Sequence, residues 1–247
     1  MARVTPGPVP TPTPAPTPAP TPTPGISTLS TVGGIVTDGS GNRYGTSGTT
    51  VVKVLPDGSS QTIATSALLL DSALAGIDSR GNLYALKHIG CRVLKIATDG
   101  TVSTFAGDGT PGFAEGQGTA ARFNRPAGMA VDAADNLYIS DYWNNRIRRI
   151  TPGGLVSTFS GSGIRGSQDG PAATARYTEP IGICMDASGN FWQADHDGHR
   201  IRRIAPDGTA STLRNPSGNP VNYTYPFDLP PFIVQHKTGM HGYATCR

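Results

Sequence analysis

At 247 residues the chain has room for one large domain or two small ones. Apolar content of 36% and charge of 15%, with 32 Gly and 22 Pro, describe a chain spent largely on turns and suited to many short strands. The net charge of +3 does not by itself call for nucleic acid or an anionic membrane; three cysteines are too few for a disulfide framework; no run approaches the ~18 apolar residues of a membrane span.

The opening "MARVTPGPVP" has no apolar core and does not read as a secretory signal. From Pro6 to Pro24 every even position is proline. Each proline fixes φ and biases its predecessor toward extended backbone, so residues 1–25 are expected to form a stiff polyproline II stalk. At ~3.1 Å per residue the alternating stretch would span on the order of 60 Å. An inert spacer, a docking arm and an O-glycosylated stem are all compatible with it. Gly25 ends the run, and residues 26–247 make up the second unit.

Apolar residues there are periodic, which excludes disorder throughout. Four segments share one grammar: "IVTDGSGNRYGT", "AGIDSRGNLYAL", "MAVDAADNLYIS" and "ICMDASGNFWQA". Each is followed by an alternating strand ("VVKVLPDG", "RVLKIATDG", "RIRRITPGG", "RIRRIAPDG") and a third piece such as "LVSTFSG". The anchoring residues are Asn42, Asn82, Asn136 and Asn190, at intervals of 40, 54 and 54. A unit of ~40 residues made of four short strands, a to d, reads as a β-propeller blade. The extra 14 residues fall in the d–a connections before the last two units. Asp-x-x-Gly-Asn turns join a to b, and Pro-Asp-Gly or its equivalent joins c to d.

The stretch "PAGMAVDAADNLYISDYWNNRIRRITPGGLVSTFSG" resembles the NHL-repeat family, whose pattern pairs Asp-x-x-Gly-Asn-[apolar]-Tyr with Asn-x-Arg-[apolar]-Arg. The likeness runs over roughly residues 30 to 214 and implies an all-β fold, a small β-propeller. It does not choose a function, because the family includes protein-binding, RNA-binding and enzymatic members. "GISTLSTVGG" matches the d-strand phrase and "PPFIVQHKTGMHGYATC" reads as a degenerate a–turn–b. Joined, they would add an incomplete fifth blade and remove an open sheet edge. A ring closed by a partner chain is the alternative. Residues 214–229 fit no blade.

In a blade, a–b and c–d turns share one face, while b–c loops and d–a connections share the other. The four b–c loops read "TSGTT", "KHIGC", "DYWNN" and "DHDGH". Everything that varies therefore gathers at one pole, where a rigid scaffold presents binding loops. His88, Tyr142 and His196 take equivalent places, as do Cys91, Asn145 and His199. With Trp143 they predict an aromatic and imidazole rim suited to protein or sugar surfaces. The candidate binding set is His88, Tyr142, Trp143, Asn144, His196, Asp197 and His199.

Each candidate has a plainer reading. His196 and His199 have a spacing that could chelate a metal, yet loop histidines are commonly just solvated. Zinc lyases and calcium lactonases of the propeller type imply channel ligands, but Asp38, Asp78, Asp132 and Asp186 recur in every blade, which speaks for architecture. Asp141 and Asp195 follow strand b and are expected to accept backbone N–H bonds. Arg146, Arg148, Arg149, Arg200, Arg202 and Arg203 look like a nucleic-acid footprint. They belong equally to the family's structural pattern, with side chains lying across neighbouring blades. Arg122 and Arg176 recur within the insertions and should pin them. Cys184 reads as a buried thiol, and Cys91 and Cys246 as more accessible. Asn222 opens a glycosylation sequon, Asn-Tyr-Thr.

These expectations combine into a non-catalytic binding or display propeller on a stalk, with no cofactor. Its partner would be a protein or glycan surface, its location extracellular or on a virion, and it could self-associate through the stalk or an open blade edge. A bacteriophage structural protein and a metal-dependent lactonase or lyase are the alternatives.

Overall fold

The computed structural model describes residues 34–222. The stalk, the N-terminal outer strand, the C-terminal part-blade and Cys246 lie outside these residues, and so does the fifth blade they would build.

Among the described residues four antiparallel sheets follow one another, each with strands in the order a-b-c-d. The first comprises β1 (Ile35–Thr37), β2 (Arg43–Ser47), β3 (Thr50–Val54) and β4 (Ser60–Thr65). The second holds β5 (Ala73–Ile77), β6 (Leu83–Lys87), β7 (Arg92–Ile96) and β8 (Val102–Ala106). In the third, β10 (Pro126–Val131), β11 (Leu137–Asp141), β12 (Arg146–Ile150) and β13 (Leu155–Ser160) gain an outer fifth strand, β9 (Gly116–Gln117). The fourth has β14 (Pro180–Met185), β15 (Phe191–Asp195), β16 (Arg200–Ile204) and β17 (Ala210–Thr212). The first insertion is thus more than a loop, because β9 pairs with β13. The second insertion makes the matching contact as a single bridge, Gly170 with Ala210.

Both faces of each inner sheet are covered by a neighbouring blade, so the strands bury side chains in both directions. Three apolar clusters result, one in each seam between consecutive blades. Leu74, Leu83 and Leu94 lie in the seam of blades one and two; Phe123, Leu137 and Ile139 in the next; Tyr177, Phe191 and Ile204 in the third. Burial of such a side chain contributes about 1.5–3 kcal/mol. The inner strands approach so closely that a Cβ on Gly128 would collide with the Ile181 carbonyl of the next blade. That contact gives the Pro-x-Gly of the repeat a physical reason.

The repeated Asp-x-x-Gly-Asn-x-Tyr has an equally local cause. Asp132 accepts hydrogen bonds from the Ala134 and Asn136 amides, from Asn136 Nδ2 and from the Tyr138 hydroxyl, at 2.8–3.2 Å. Asp38 and Asp78 do the same with Asn42 and Tyr44, and with Asn82 and Tyr84. In blade four Trp192 Nε1 replaces the hydroxyl, donating to Asp186 at 2.9 Å. One carboxylate therefore closes each a–b turn and ties it to strand b. The glycine of this turn has φ near +80° in blades one, two and four, but blade three has Asp135 at φ +63°. Asp135 uses that left-handed position to accept from the Ser79 amide and hydroxyl of the preceding blade, both at 2.8 Å.

Burial pushes Asp186 up, but the hydrogen bonds from Trp192, Asn190 and Ser188 outweigh it and hold the carboxyl at about 2. Its folded value lies below its unfolded one, so its stabilisation is present above pH ~4 and is lost as pH falls toward 2. Thermal melts should show a steep loss of Tm over that window, shallower in Asp186→Asn. Gly128→Ala should cost about 1–3 kcal/mol in chemical denaturation, by forcing blades three and four apart.

Candidate functional site

The varied pole rests on two buried ion pairs. Asp141, the last residue of β11, is fully buried and accepts from the Asn124 amide (2.7 Å), Asn144 Nδ2 (2.8 Å) and Arg148 Nη1 (3.0 Å). Arg148, 0% exposed, also donates to the Arg122 carbonyl (3.1 Å) and the Ala114 carbonyl (2.8 Å). Its guanidinium lies over Phe113 at 4.7 Å and Phe123 at 5.5 Å.

Blade four repeats the arrangement 54 residues on. Asp195 accepts from the Thr178 amide at 2.5 Å and from Arg202 at 3.3 Å. Arg202 reaches the Arg176 carbonyl (2.8 Å), the Gln168 carbonyl (3.0 Å) and Asp169 (3.0 Å). Each pair lashes a d–a insertion to the b–c loop of the same blade. Arg148 and Arg202 thus bind within their own blade, where the sequence pattern suggested side chains lying across neighbours. Their strand parity turns them toward the insertion. Arg122 and Arg176 do hold the insertions, chiefly through the carbonyls they offer to these guanidiniums. Burial drives both carboxyls upward, Asp195 to about 7, against the pull of the backbone amides and the arginines.

On this base sits the rim. Tyr142 is central: its ring centroid lies 6.0 Å from His88 of blade two, 6.2 Å from His196 of blade four and 6.4 Å from Trp143. Its hydroxyl donates to Glu179 at 2.6 Å, and His196 Nδ1 lies 3.6 Å from the same carboxylate oxygen. Burial and the Glu179 charge push the Tyr142 hydroxyl to about 12. His88 Nδ1 faces the Pro126 carbonyl at 3.3 Å, and burial moves this imidazole below its ordinary value. The Arg125 guanidinium covers one face of Trp143 at 3.8 Å. His88, Tyr142, Trp143 and His196 are therefore one connected group drawn from three blades.

The other candidates behave differently. Asn144 is buried, and its amide donates to the Gly112 carbonyl and Asp141, so it belongs to the foundation and not to the rim. Asp197 is exposed and paired with Arg165 of the insertion. His199 is exposed at φ +49°, the position held by Cys91 and Asn145 in blades two and three. Cys91 is 1% exposed, because that left-handed turn tucks its thiol under the loop beside the His88 and Ile89 carbonyls, so it is not accessible as its loop context suggested. Cys184 is buried on β14 but disulfide-bonded, so it is not the thiol expected. Among the described residues no group of three His, Cys, Asp or Glu side chains has the geometry to hold a metal ion.

Two features of this pole escape the repeat pattern. Asp71, Arg125 and Glu179 stand just before the inner strands at φ +56° to +59°, one position recurring with changed charge. Six large apolar side chains are also exposed here: Leu68, Leu70, Ile89, Phe113, Trp143 and Ile164. Ile89 is 76% and Trp143 47% exposed. Their signal in the sequence is an apolar residue inside a Gly- or Ser-rich connection, with no alternating partner. The opposite pole opens on a central cavity of about 440 Å³ between the inner strands, bordered by Asp38, Asp78 and Asp132. Those carboxylates are the ones that close the a–b turns.

Residues 123–150 match the NHL repeat. NHL repeat-containing protein 2 of Bos taurus is 30% identical over 95 residues, which is 37% of this chain and 13% of that protein. The aligned parts span about an eighth of the length of the curated relatives matched. Among solved structures, an auxiliary nutrient binding protein from Bacteroides thetaiotaomicron aligns with TM-score 0.58 and 22% identity, over 70% of this chain and 46% of that one. The virginiamycin B lyase of Staphylococcus aureus, crystallised with quinupristin, aligns with TM-score 0.53 and 20% identity, over 74% and 55%. These likenesses establish an NHL-type β-propeller fold.

Arg148→Ala strands a buried carboxylate and two freed backbone carbonyls. It should cost about 3–5 kcal/mol in urea unfolding. The double replacement Asp141→Leu with Arg148→Met should recover most of that loss, yet leave residues 108–125 more open to limited proteolysis than in the parent.

Proposed function

We propose that this NHL-repeat propeller is a binding module that recognises a protein or glycan surface through its b–c/d–a pole. The observation that carries the reading is the joined rim of His88, Tyr142, Trp143 and His196, set among exposed Leu68, Leu70, Ile89, Phe113 and Ile164. Rings with apolar bodies and polar tips, held on a stiff base, bind with little ordering cost. Ion pairs at the margin, such as Arg165 with Asp197, fit the polar border of an interface better than its centre. The nutrient-binding propeller supports a binding role by analogy of fold alone. In this reading the Pro/Thr segment presents the head as a stalk, in an extracellular or virion setting.

An enzymatic reading draws on one contact set: Glu179 lies between a tyrosine hydroxyl and an imidazole, a grouping able to relay protons. The two readings part in a single experiment. The full chain is screened on glycan and extracellular-protein arrays beside Trp143→Ala. The binding reading expects affinity to fall by about 2 kcal/mol, roughly thirty-fold, with Tm nearly unchanged. Undiminished capture by Trp143→Ala rules out this pole. Chemical turnover of a captured compound, lost in Glu179→Gln, moves the protein to the enzyme class.

A further inference from the structure

The alternating prolines remain unexplained by a stalk alone, since a spacer needs neither their regularity nor their length. We infer that the rim of Tyr142, Trp143, His88 and His196 is a docking site for a polyproline II peptide, and that its occupant is the chain's own segment, residues 6–24. This rests on the reading of the varied pole as a recognition face and gives it a ligand chemistry.

Four observations support it. First, polyproline segments are recognised by aromatic-lined grooves, because the ring of proline packs on aromatic faces and its fixed backbone loses little entropy on docking. The rim supplies Tyr142 with three rings around it, His88, His196 and Trp143, whose centroids lie 6.0, 6.2 and 6.4 Å from its own. Polyproline II rises ~3.1 Å per residue, so one X-Pro repeat spans about 6 Å. Second, the helix has three residues per turn while proline recurs every two. In such a helix the prolines of residues 6–24 would fall on all three edges, consecutive ones on adjacent edges, so whichever two edges face the rim present proline rings about 6 Å apart along the axis. Third, the segment carries no charged residue, and the charges around the rim are already engaged, Arg165 with Asp197 and Arg125 over Trp143. An uncharged apolar ligand suits rings whose ionic neighbours are occupied. Fourth, the described chain begins at Gly34, just before β1, and β1 starts from the varied pole because its turn to β2 lies at the other. Residues 25–33 alone give a reach on the order of 30 Å from that point. Should those residues instead run as an outer strand, the segment leaves from the opposite pole and meets the rim of a second copy. Both routes put the same prolines on the same rings.

The test uses the full chain labelled with 5-fluorotryptophan. Its two tryptophans give two fluorine resonances, with Trp192 at the opposite pole as an internal control. The comparison chain has the prolines between positions 6 and 24 replaced by serine. The Trp143 resonance should differ between the two chains while that of Trp192 does not. Adding a synthetic peptide of residues 6–24 to the serine chain should move the Trp143 resonance saturably toward its parental position. Tyr142→Ala should weaken that response at least tenfold, and a tenfold rise in NaCl should leave it within about twofold. A parental shift that survives dilution identifies docking within one chain; one that fades identifies docking between copies, and either supports the inference. A Trp143 resonance that is the same in both chains, with no saturable peptide response, overturns it. If array capture still depends on Trp143 in that case, only this inference falls; if both are silent, the choice of pole falls with it.

Discussion

A guanidinium with no exposure to water, held by a carboxylate equally shut off from it, organises the functional half of this molecule. Desolvating such a pair costs several kcal/mol per ion, and the cost is offset only when the remaining donors and acceptors are satisfied. Arg148 and Arg202 meet that condition through their terminal nitrogens, which bind backbone carbonyls of the insertion as well as their aspartates, and leave only each buried Nε without an acceptor. The pair occurs where the insertion occurs. In blade two, whose incoming connection is short, the equivalent residues are Lys87 and Leu94; in blade one they are Ser47 and Val52. The Arg–Asp pair is therefore the device by which a longer connection is made part of the fold, and it explains why Asn144 turns inward to join it.

The two poles differ in what their polar groups are used for. At one pole each carboxylate closes its own a–b turn, and Asp135 clasps Ser79 across a seam. Little is left over there for a ligand, although a cavity lies between the inner strands. At the other, the backbone groups are satisfied from beneath by Asp141, Asp195 and the arginines, which leaves Tyr142, Trp143 and the imidazoles facing outward.

Much of this was legible in the residues. The a–b turn could be read because its signature is local: one aspartate, one asparagine and one aromatic at fixed offsets close a turn whatever the surroundings. The equivalence of His88, Tyr142 and His196 followed from alignment of the repeats, and their rings do meet. Glu179 and Arg125 could not be found in that way. They precede proline in "TEP" and "NRP", and nothing local announces that both adopt the left-handed region or that one will receive the Tyr142 hydroxyl. The direction of Arg148 was hidden for a different reason. Strand c is covered on both sides, so alternation does not tell which side takes the charge, and burial of an arginine becomes intelligible only once the insertion supplies its carbonyls. The short β9 was hidden likewise, because two residues carry no period.

The position of the ion pairs below the loop tips has a consequence for how such a protein can change. Tyr142 and His196 differ in blades three and four, as do Trp143 and Asp197, while the supporting arginine and aspartate are the same in both. Stability and specificity are thus written in separate residues. New tips can be grafted onto an unaltered base, and a lineage or a designer can retarget the head without having to refold it.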